Sequence, residues 1–168
     1  PVESFVVISG KSKYDPRAPT GIEITADKIY VLSLANTMPL PRKQITQMSP
    51  QLRLQYRFIA LRSRYMRAIL LLRSKIIQYM REYLLSKGFV EIDTPKIIST
   101  ATEGGAELFP LLYYGKEAFL AQSPQLYKQL AINAFEKVFE IAHYFRAEKF
   151  DTPRHLSEFY CLDIEIAL

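Results

Sequence analysis

The spacing of apolar residues along the first 35 positions predicts β-strands. Two apolar runs, within residues 5–8 and 22–34, are separated by the turn-forming residues Pro16, Pro19 and Gly21. A sheet of two or three strands cannot bury a hydrophobic core by itself. We therefore expect this zone to be the end of a β-domain whose earlier strands precede residue 1.

The next zone combines a connector with a helix. Residues 36–56 are predicted to form a connector, in which Pro39, Pro41 and Pro50 disfavour regular structure and several arginine and lysine residues make the segment basic. Over residues 58–85 apolar side chains recur every three or four positions, which predicts an amphipathic helix that stops near Gly88. The apolar stripe of this helix consists of Tyr65, Ile69, Leu72, Ile76, Met80 and Leu84. We expect the stripe to pack into a core, and a dimer interface is the alternative.

Beyond Gly88 the pattern predicts short strands and one further helix. Residues 89–95 form an extended run, residues 102–106 a glycine-rich loop, and residues 109–121 one strand. Pro124 suits the first turn of a helix over residues 125–135.

The last thirty residues alternate charged and apolar side chains on two strands. Residues 138–148 predict a strand with a core face (Phe139, Ile141, His143 and Phe145) and an open face (Tyr144, Arg146 and Glu148). The strand over residues 158–168 puts Phe159, Asp163 and Glu165 on one face, and the loop between the strands adds Lys149, Arg154 and His155. A hairpin of these strands would gather guanidinium groups suited to phosphates, carboxylates suited to an amine, and a ring suited to a base.

Each of these residues also has a simpler interpretation. Exposed arginine and glutamate side chains on a strand are usually solvated, and Phe159 alone would be a core residue. His155 beside Arg154 is typical of a surface loop. Asp163 and Glu165 fit less well, because burying unpaired carboxylates among apolar neighbours costs free energy. From the residues alone, a nucleotide site and a solvated surface both stay open.

Composition limits the class of protein without identifying it. The 168 residues have a net charge of +5, which suits a polyanionic partner such as RNA and equally an ordinary basic protein. Cys161 is the only cysteine, so a disulfide within the chain and a cysteine-based zinc site are excluded. The sequence has no uncharged apolar run of about 18 residues and no visible secretory or transit segment. We therefore expect no membrane span and a cytoplasmic location.

Four segments form ordered motifs: residues 89–96, 102–106, 122–129 and 145–165. Together they resemble the class II aminoacyl-tRNA synthetases, most closely the aspartyl, asparaginyl and lysyl subgroup, subclass IIb. The first segment, which contains Pro95, is similar to motif 1, the dimer-interface motif of that family. The last, which includes Phe145-Arg146-Ala147-Glu148, is similar to motif 2. The middle two resemble the mobile loop over the amino acid and the aspartate-binding segment.

The resemblance implies a fold and a domain order. The expected fold class is α+β, with a class II antiparallel sheet flanked by helices and preceded by the C-terminal part of an OB-fold β-barrel. Residues 1–38 would be that barrel part, which binds the anticodon, residues 39–57 a hinge, and residues 58–168 the N-terminal part of the catalytic domain. Motif 3 is absent because the sequence ends at Leu168, so we expect this stretch alone to be inactive.

The resemblance also implies a role for each matching residue on the ATP side. Arg146 would be the catalytic residue, holding the α-phosphate and the substrate carboxylate. Glu148 would accept a hydrogen bond from the adenine amino group, and Phe159 would stack under the ring. Arg154 and His155 would contact the outer phosphates.

On the amino acid side the implied residues are Glu103, Gln125, Lys128 and Asp163, together with Arg146. The two carboxylates and Gln125 would surround the α-ammonium, and Lys128 would pair with the side-chain carboxylate. Lys128 favours aspartate, because an amide cannot offset the cost of desolvating a lysine.

The implied activity is ATP-dependent activation of L-aspartate and its transfer to tRNA(Asp) by a homodimer. Magnesium is implied by ATP, with no ligands for it in this chain. The alternatives are an asparaginyl enzyme, an aspartyl enzyme that also charges tRNA(Asn), and a non-catalytic fragment that binds RNA or dimerises.

Overall fold

A computed structural model describes residues 2–39, 45, 47–100, 108–149, 152 and 154–167. The backbone divides into two compact units, Pro1–Ile69 and Leu70–Leu168, and each is considered separately. Within the described ranges, none of the helices has the length and apolar character needed to cross a bilayer.

The first unit begins with a hairpin of strands β1 (Phe5–Tyr14) and β2 (Ile22–Ser33). The strands pair antiparallel, with Ile8 opposite Ile29. Gly21 takes a φ of 74° where the turn leads into β2, a conformation that favours glycine. Every residue of β2 is exposed, and in the described part of this unit no second layer covers the hairpin.

Two short helices follow, α1 (Pro50–Gln55) and α2 (Arg57–Ala60). The Oγ atom of Ser49 accepts a hydrogen bond from the Leu52 N–H at 3.3 Å, which caps α1. The prediction of a connector without regular structure is therefore wrong at Pro50. A proline in the first turn of a helix loses no intrahelical hydrogen bond, so Pro50 begins a helix here instead of preventing one.

Helix α3 (Arg64–Ser86) is separate from α2, so the prediction of a single helix from residue 58 is wrong. The Oγ atom of Ser63 accepts a hydrogen bond from the Met66 N–H at 3.2 Å. A serine three residues before the donor is typical of a helix start, because its side chain replaces a missing backbone acceptor. The helical spacing of apolar residues continues across the break between α2 and α3, so the spacing alone does not indicate it.

The apolar stripe of α3 is largely exposed. Five of its six members are between 39% and 62% exposed, and Leu84 alone is buried. Leu84, with Ile77 beside it, contacts Phe139 and Ile141 of the sheet in the second unit. The expectation that the stripe packs into a core is wrong for the other five, because the sheet packs against Ile77 and Leu84 and leaves those five side chains outside the contact.

Helix α3 ends in a Schellman motif around Gly88. The Phe89 N–H donates to the Leu84 carbonyl at 3.1 Å, and the Gly88 N–H donates to the Leu85 carbonyl at 3.0 Å. Gly88 has a φ of 80°. Phe89 also packs against the Leu84 cluster, which is the apolar contact that accompanies this motif. The predicted stop near Gly88 is confirmed.

The elements after α3 are β3 (Val90–Glu91), β4 (Ile97–Ile98), β5 (Pro110–Tyr113), β6 (Lys116–Leu120), α4 (Gln125–Ala131), β7 (Lys137–Phe145) and β8 (Glu158–Ile166). In the described part of this unit they form two sheets, ordered β3-β7-β8 and β4-β6-β5. All pairs are antiparallel except β3 with β7.

One strand was expected over residues 109–121, and the structure has a hairpin. Tyr114 and Gly115 have φ values of 49° and 78°, which form the tight turn between β5 and β6. The single-strand prediction is wrong because Tyr114 is an unusual residue for a positive φ, so the turn has no strong signal.

Strand β7 is covered on both faces. Phe139 and Ile141 face α3, whereas Tyr144, 1% exposed, packs with Ile98 and Ala121 on the opposite face. The predicted open face is therefore wrong at Tyr144. His143, expected in the core, is exposed and contacts the Tyr160 ring at 4.8 Å. Alternation fixes which residues share a face, but the layers that cover each face come from distant parts of the chain.

Replacing Gly88 with alanine in the full-length protein should lower the free energy of unfolding by about 1 kcal/mol, because an L-residue is strained at this φ. Gly88→Asn should lose less, since asparagine tolerates the left-handed region. Chemical denaturation monitored by circular dichroism measures both. Equal losses for alanine and asparagine would show that the φ of Gly88 does not limit stability.

Candidate functional site

The register between β7 and β8 determines which side chains meet. Glu140 lies opposite Asp163, and Tyr144 lies opposite Phe159. Alternate residues of a strand share a face, so Phe159, Asp163 and Glu165 lie on one side of β8, as the sequence predicts. Arg146 follows β7 directly, and its N–H donates to the Ser157 carbonyl at 2.9 Å. The backbone pairing of the hairpin therefore extends to Arg146.

A cavity of about 230 Å³ lies at the open end of this hairpin. Its lining residues are Arg146, Glu148, Arg154, His155, Leu156 and Phe159. The five residues assigned to ATP from the sequence therefore surround one space. Leu156 adds an apolar wall that the sequence analysis did not single out, although it lies within the motif 2 segment.

Cationic and aromatic groups are in contact inside the cavity. The Arg146 guanidinium lies 5.3 Å from the centroid of the Phe159 ring, a cation–π distance. His155 Nδ1 is 2.7 Å from the Thr152 hydroxyl, which orients the imidazole. Two arginines and a histidine around a small cavity form a site for an anion, and the Phe159 ring offers a face for a planar group.

Lys128 of α4 lies between two carboxylates of β8. Its Nζ atom is 2.6 Å from Asp163 Oδ1 and 3.0 Å from Glu165 Oε2. The three side chains are 13%, 18% and 26% exposed, so water screens the charges only in part. Burial lowers the pKa of Lys128, but the hydrogen bonds to Asp163 and Glu165 outweigh it and the net shift is upward. The lysine therefore stays protonated.

This cluster differs in one respect from the roles that the sequence suggested. Lys128 and Asp163 were assigned to two different groups of an amino acid, and the structure brings them into contact with each other. Glu165 was placed on the correct face but was given no binding role. Its contact with Lys128 makes it part of the cluster.

The remaining residues assigned from the sequence lie around these two groups. Gln125 is half-buried in the first turn of α4, where its N–H donates to Ser123 Oγ at 3.3 Å. Pro95 is exposed, between Thr94 and Lys96. Glu103 lies outside the residues that the structure describes.

Glu140 is a functional candidate that the sequence analysis missed. Its side chain is 2% exposed and is held by Thr94, Lys96 and Tyr144. Burial raises the pKa of Glu140, but the hydrogen bonds from these three residues outweigh it and the net shift is downward. The available signal was a glutamate inside the apolar run Val138-Phe139-Glu140-Ile141, since a buried charge needs partners.

Cys161 lies on the same face of β8 as Asp163, opposite Ala142. Its thiol is half-buried. Burial raises the pKa of Cys161, and the negative charge of Asp163 raises it further. We therefore expect the reactivity of the thiol to depend on the charge of Asp163.

The model of the family of class II tRNA synthetases (D, K and N) matches residues 49–168. An aspartate–tRNA(Asp/Asn) ligase of Saccharolobus solfataricus is 52% identical, over 99% of this chain and 39% of that protein. An aspartate–tRNA(Asp) ligase of Pyrococcus horikoshii is 48% identical, over 98% of this chain and 38% of that protein. The crystal structure of asparaginyl-tRNA synthetase from Pyrococcus horikoshii complexed with asparaginyl-adenylate matches with a TM-score of 0.88 and 41% identity, over 98% of this chain and 38% of that chain.

The chain spans about 39% of the length of the Saccharolobus relative. The structural match confirms the predicted fold class, α+β with a class II sheet preceded by part of an OB-fold barrel. In the described residues the barrel part is an open sheet of two strands, and the sheet around β7 includes the parallel β3 strand.

Asp163→Asn should speed the alkylation of Cys161 by iodoacetamide at pH 8 by about threefold, because removing the negative charge lowers the thiol pKa and raises the thiolate fraction. Mass spectrometry of the peptide that contains Cys161 measures the rate in the full-length protein. Glu158→Gln, which changes an exposed carboxylate on the same strand, is the control and should leave the rate unchanged. A rate in Asp163→Asn equal to that of the parent would contradict the coupling.

Proposed function

This chain belongs to the class II tRNA synthetases of the D, K and N group, and from that premise we propose that the full protein is an aspartate–tRNA ligase. It would activate L-aspartate with ATP and transfer the aspartyl group to tRNA(Asp). The relatives named for aspartate support this assignment, although each is longer than the chain.

The proposal depends most on the contact of Lys128 with Asp163 and Glu165. A partly buried ammonium that already has anionic partners exchanges them only for a group of equal charge. L-Aspartate would offer such an exchange. Its side-chain carboxylate would pair with Lys128, and its α-ammonium would take the place that Lys128 now holds on Asp163 at 2.6 Å. Asparagine satisfies Asp163 in the same way but offers Lys128 only a neutral amide. The difference favours aspartate.

The cavity bounded by Arg146, Arg154 and His155 supports ATP as the second substrate. Guanidinium groups bind phosphate oxygens through paired hydrogen bonds. Glu148 offers an acceptor for the adenine amino group, and Phe159 offers a ring face. Because Arg146 lies over the Phe159 ring at 5.3 Å, we expect the guanidinium to leave the ring for the α-phosphate when adenine stacks there.

The proposed reaction has two steps. A carboxylate oxygen of aspartate attacks the α-phosphorus in line and pyrophosphate leaves, which gives aspartyl-adenylate. A hydroxyl of the 3′-terminal ribose of tRNA then attacks the acyl carbon and AMP leaves. Neither step needs a protein nucleophile, so catalysis would come from positioning and from cations such as Arg146 that stabilise the developing charge. ATP brings Mg²⁺ with it, and we assign that ion no ligand in this chain.

The proposed organisation follows the family. Residues 1–38 would end the anticodon-binding barrel, residues 39–57 would form the hinge, and residues 58–168 would begin the catalytic domain. We assign a homodimer interface to α3 and Pro95, supported by exposed apolar side chains such as Leu72 and Met80. The cytosol is the proposed location.

Aspartate-dependent ATP–pyrophosphate exchange on the complete gene product tests the reaction. We expect exchange with aspartate and not with asparagine or lysine, because only aspartate supplies Lys128 with a carboxylate. Aminoacylation of tRNA(Asp) and tRNA(Asn) transcripts then identifies which tRNA accepts the product. Exchange with asparagine alone would transfer the assignment to an asparaginyl enzyme, and exchange with none of the three would leave a non-catalytic RNA-binding module.

Lys128→Met should lower kcat/KM for aspartate by about 100-fold, since the bound carboxylate loses a partly buried counter-charge. The matched control is Lys116→Met, an exposed lysine on β6, which should stay within about twofold of the parent. Thermal melting shows that each variant is folded at the assay temperature. Similar losses in the two variants would contradict the role of Lys128.

A further inference from the structure

The Glu140 carboxylate is the centre of a buried hydrogen-bond network. Oε1 accepts from the Thr94 backbone N–H at 2.8 Å and from Lys96 Nζ at 2.7 Å. Oε2 accepts from the Thr94 hydroxyl at 2.8 Å and from the Tyr144 hydroxyl. Both oxygens therefore have two donors each, and the charge has Lys96 as its counter-ion. Such a carboxylate is held in one place, because any movement breaks several of these bonds.

Lys96 is held as tightly as Glu140. Its Nζ atom also donates to the Thr94 carbonyl at 2.8 Å and lies 4.6 Å from the centroid of the Tyr144 ring. The network thus fixes the segment that contains Pro95 against β7 by contacts on both sides of the proline. We call Thr94, Lys96, Glu140 and Tyr144 the Glu140 network.

We propose that Glu140 is a positioning residue, which acts through its network to hold Arg146 and the start of α4 in the geometry needed for amino acid activation. The proposal rests on the function proposed above. None of the four residues of the network reaches the cavity that Arg146 lines. Their effect on the reaction must therefore pass through the residues that they hold.

The route to Arg146 runs along β7. Glu140, Tyr144 and Arg146 share one face at alternate positions, and Tyr144 lies opposite Phe159, which the Arg146 guanidinium contacts. Tyr144 is 1% exposed and is bonded to Glu140 through its hydroxyl, so its ring has little freedom to move. A displaced Tyr144 ring would disturb both Phe159 and the end of β7, which Arg146 follows directly.

The route to α4 runs through the backbone. The Lys96 carbonyl accepts from the Ala121 N–H at 2.9 Å, and the Ala121 carbonyl accepts from the Phe145 N–H at 2.9 Å. Ala121 therefore connects the Lys96 segment to the residue before Arg146. It also precedes the short segment that leads into α4, where Gln125 and Lys128 lie. The cavity lined by Arg146 and the Lys128 cluster are thus both attached to the backbone at Ala121.

Two variants of the complete gene product test this role with a matched control. Thr94→Val removes the hydroxyl that donates to Glu140, whereas Thr94→Ser retains it. Glu140→Gln removes the charge and replaces one acceptor oxygen with a donor nitrogen. In aspartate-dependent ATP–pyrophosphate exchange we expect kcat to fall about 30-fold in Thr94→Val and in Glu140→Gln. The KM values for aspartate and ATP should stay within about threefold of the parent. Thr94→Ser should keep kcat within about twofold, because the hydroxyl survives.

Hydrogen exchange measured by mass spectrometry provides a readout that does not depend on the reaction. We expect faster exchange in Thr94→Val and Glu140→Gln at the peptides that contain Ala121 and residues 145–146, whose N–H groups belong to the two routes. Peptides of the β1–β2 hairpin should be unchanged and serve as the internal control. Thr94→Ser should match the parent in all of these peptides.

The outcomes separate this proposal from the proposed function. A fall in kcat at constant KM, together with hydrogen exchange that accelerates only along the two routes, supports positioning by Glu140. Unchanged hydrogen exchange at Ala121 and residues 145–146 overturns the positioning role of Glu140, whether or not the parent activates aspartate. Accelerated hydrogen exchange throughout the second unit, with KM rising as kcat falls, also overturns the positioning role. Glu140 would then have a general structural role. If the parent protein shows no ATP–pyrophosphate exchange, the proposed function is removed. The hydrogen-exchange result still decides whether Glu140 is coupled to Ala121 and residues 145–146.

Discussion

The antiparallel register of β7 and β8 is the constraint on which the candidate site depends. It sets Glu140 opposite Asp163 and Tyr144 opposite Phe159, so that one face of the hairpin carries both the buried support and the binding groups. A shift of one residue would turn every side chain of a strand to its other face. Phe139 and Ile141 resist such a shift, because they are packed under α3 and a one-residue shift would bring the charged Glu140 to that face.

Charge compensation is the second constraint, and it explains the arrangement on both sides of the hairpin. Lys128 has two carboxylate partners, and Glu140 has a lysine together with donors from Thr94 and Tyr144. The two clusters differ in access. The Glu140 carboxylate is 2% exposed and has two donors on each oxygen, which suits a fixed support. The Lys128 cluster is partly open, which suits the exchange of one charged partner for another of the same sign.

The wrong predictions from the sequence have two physical origins. Helical periodicity at α3 identified an apolar stripe, yet the stripe is mostly exposed, because periodicity reports which residues share a face and not what covers that face. The same limit applies to Tyr144 and His143 on β7, whose burial is the reverse of the expected pattern. The missed helix at Pro50 and the missed turn at Tyr114 are different. There the residue type is compatible with a second backbone conformation, and local preference alone cannot choose between them.

The sequence by itself determined the family of the protein and the strand parity, and it predicted the residues of the ATP side. Those inferences depend on ordered motifs and on alternation, which are local properties of the chain. Arg146, Glu148 and Phe159 could be found in this way because they lie within one short motif. Only the tertiary structure decided that Lys128 contacts Asp163 and Glu165, and that Thr94 and Lys96 hold Glu140. These contacts join residues 35 to 46 positions apart, and they form because buried charges must find partners wherever the fold brings them.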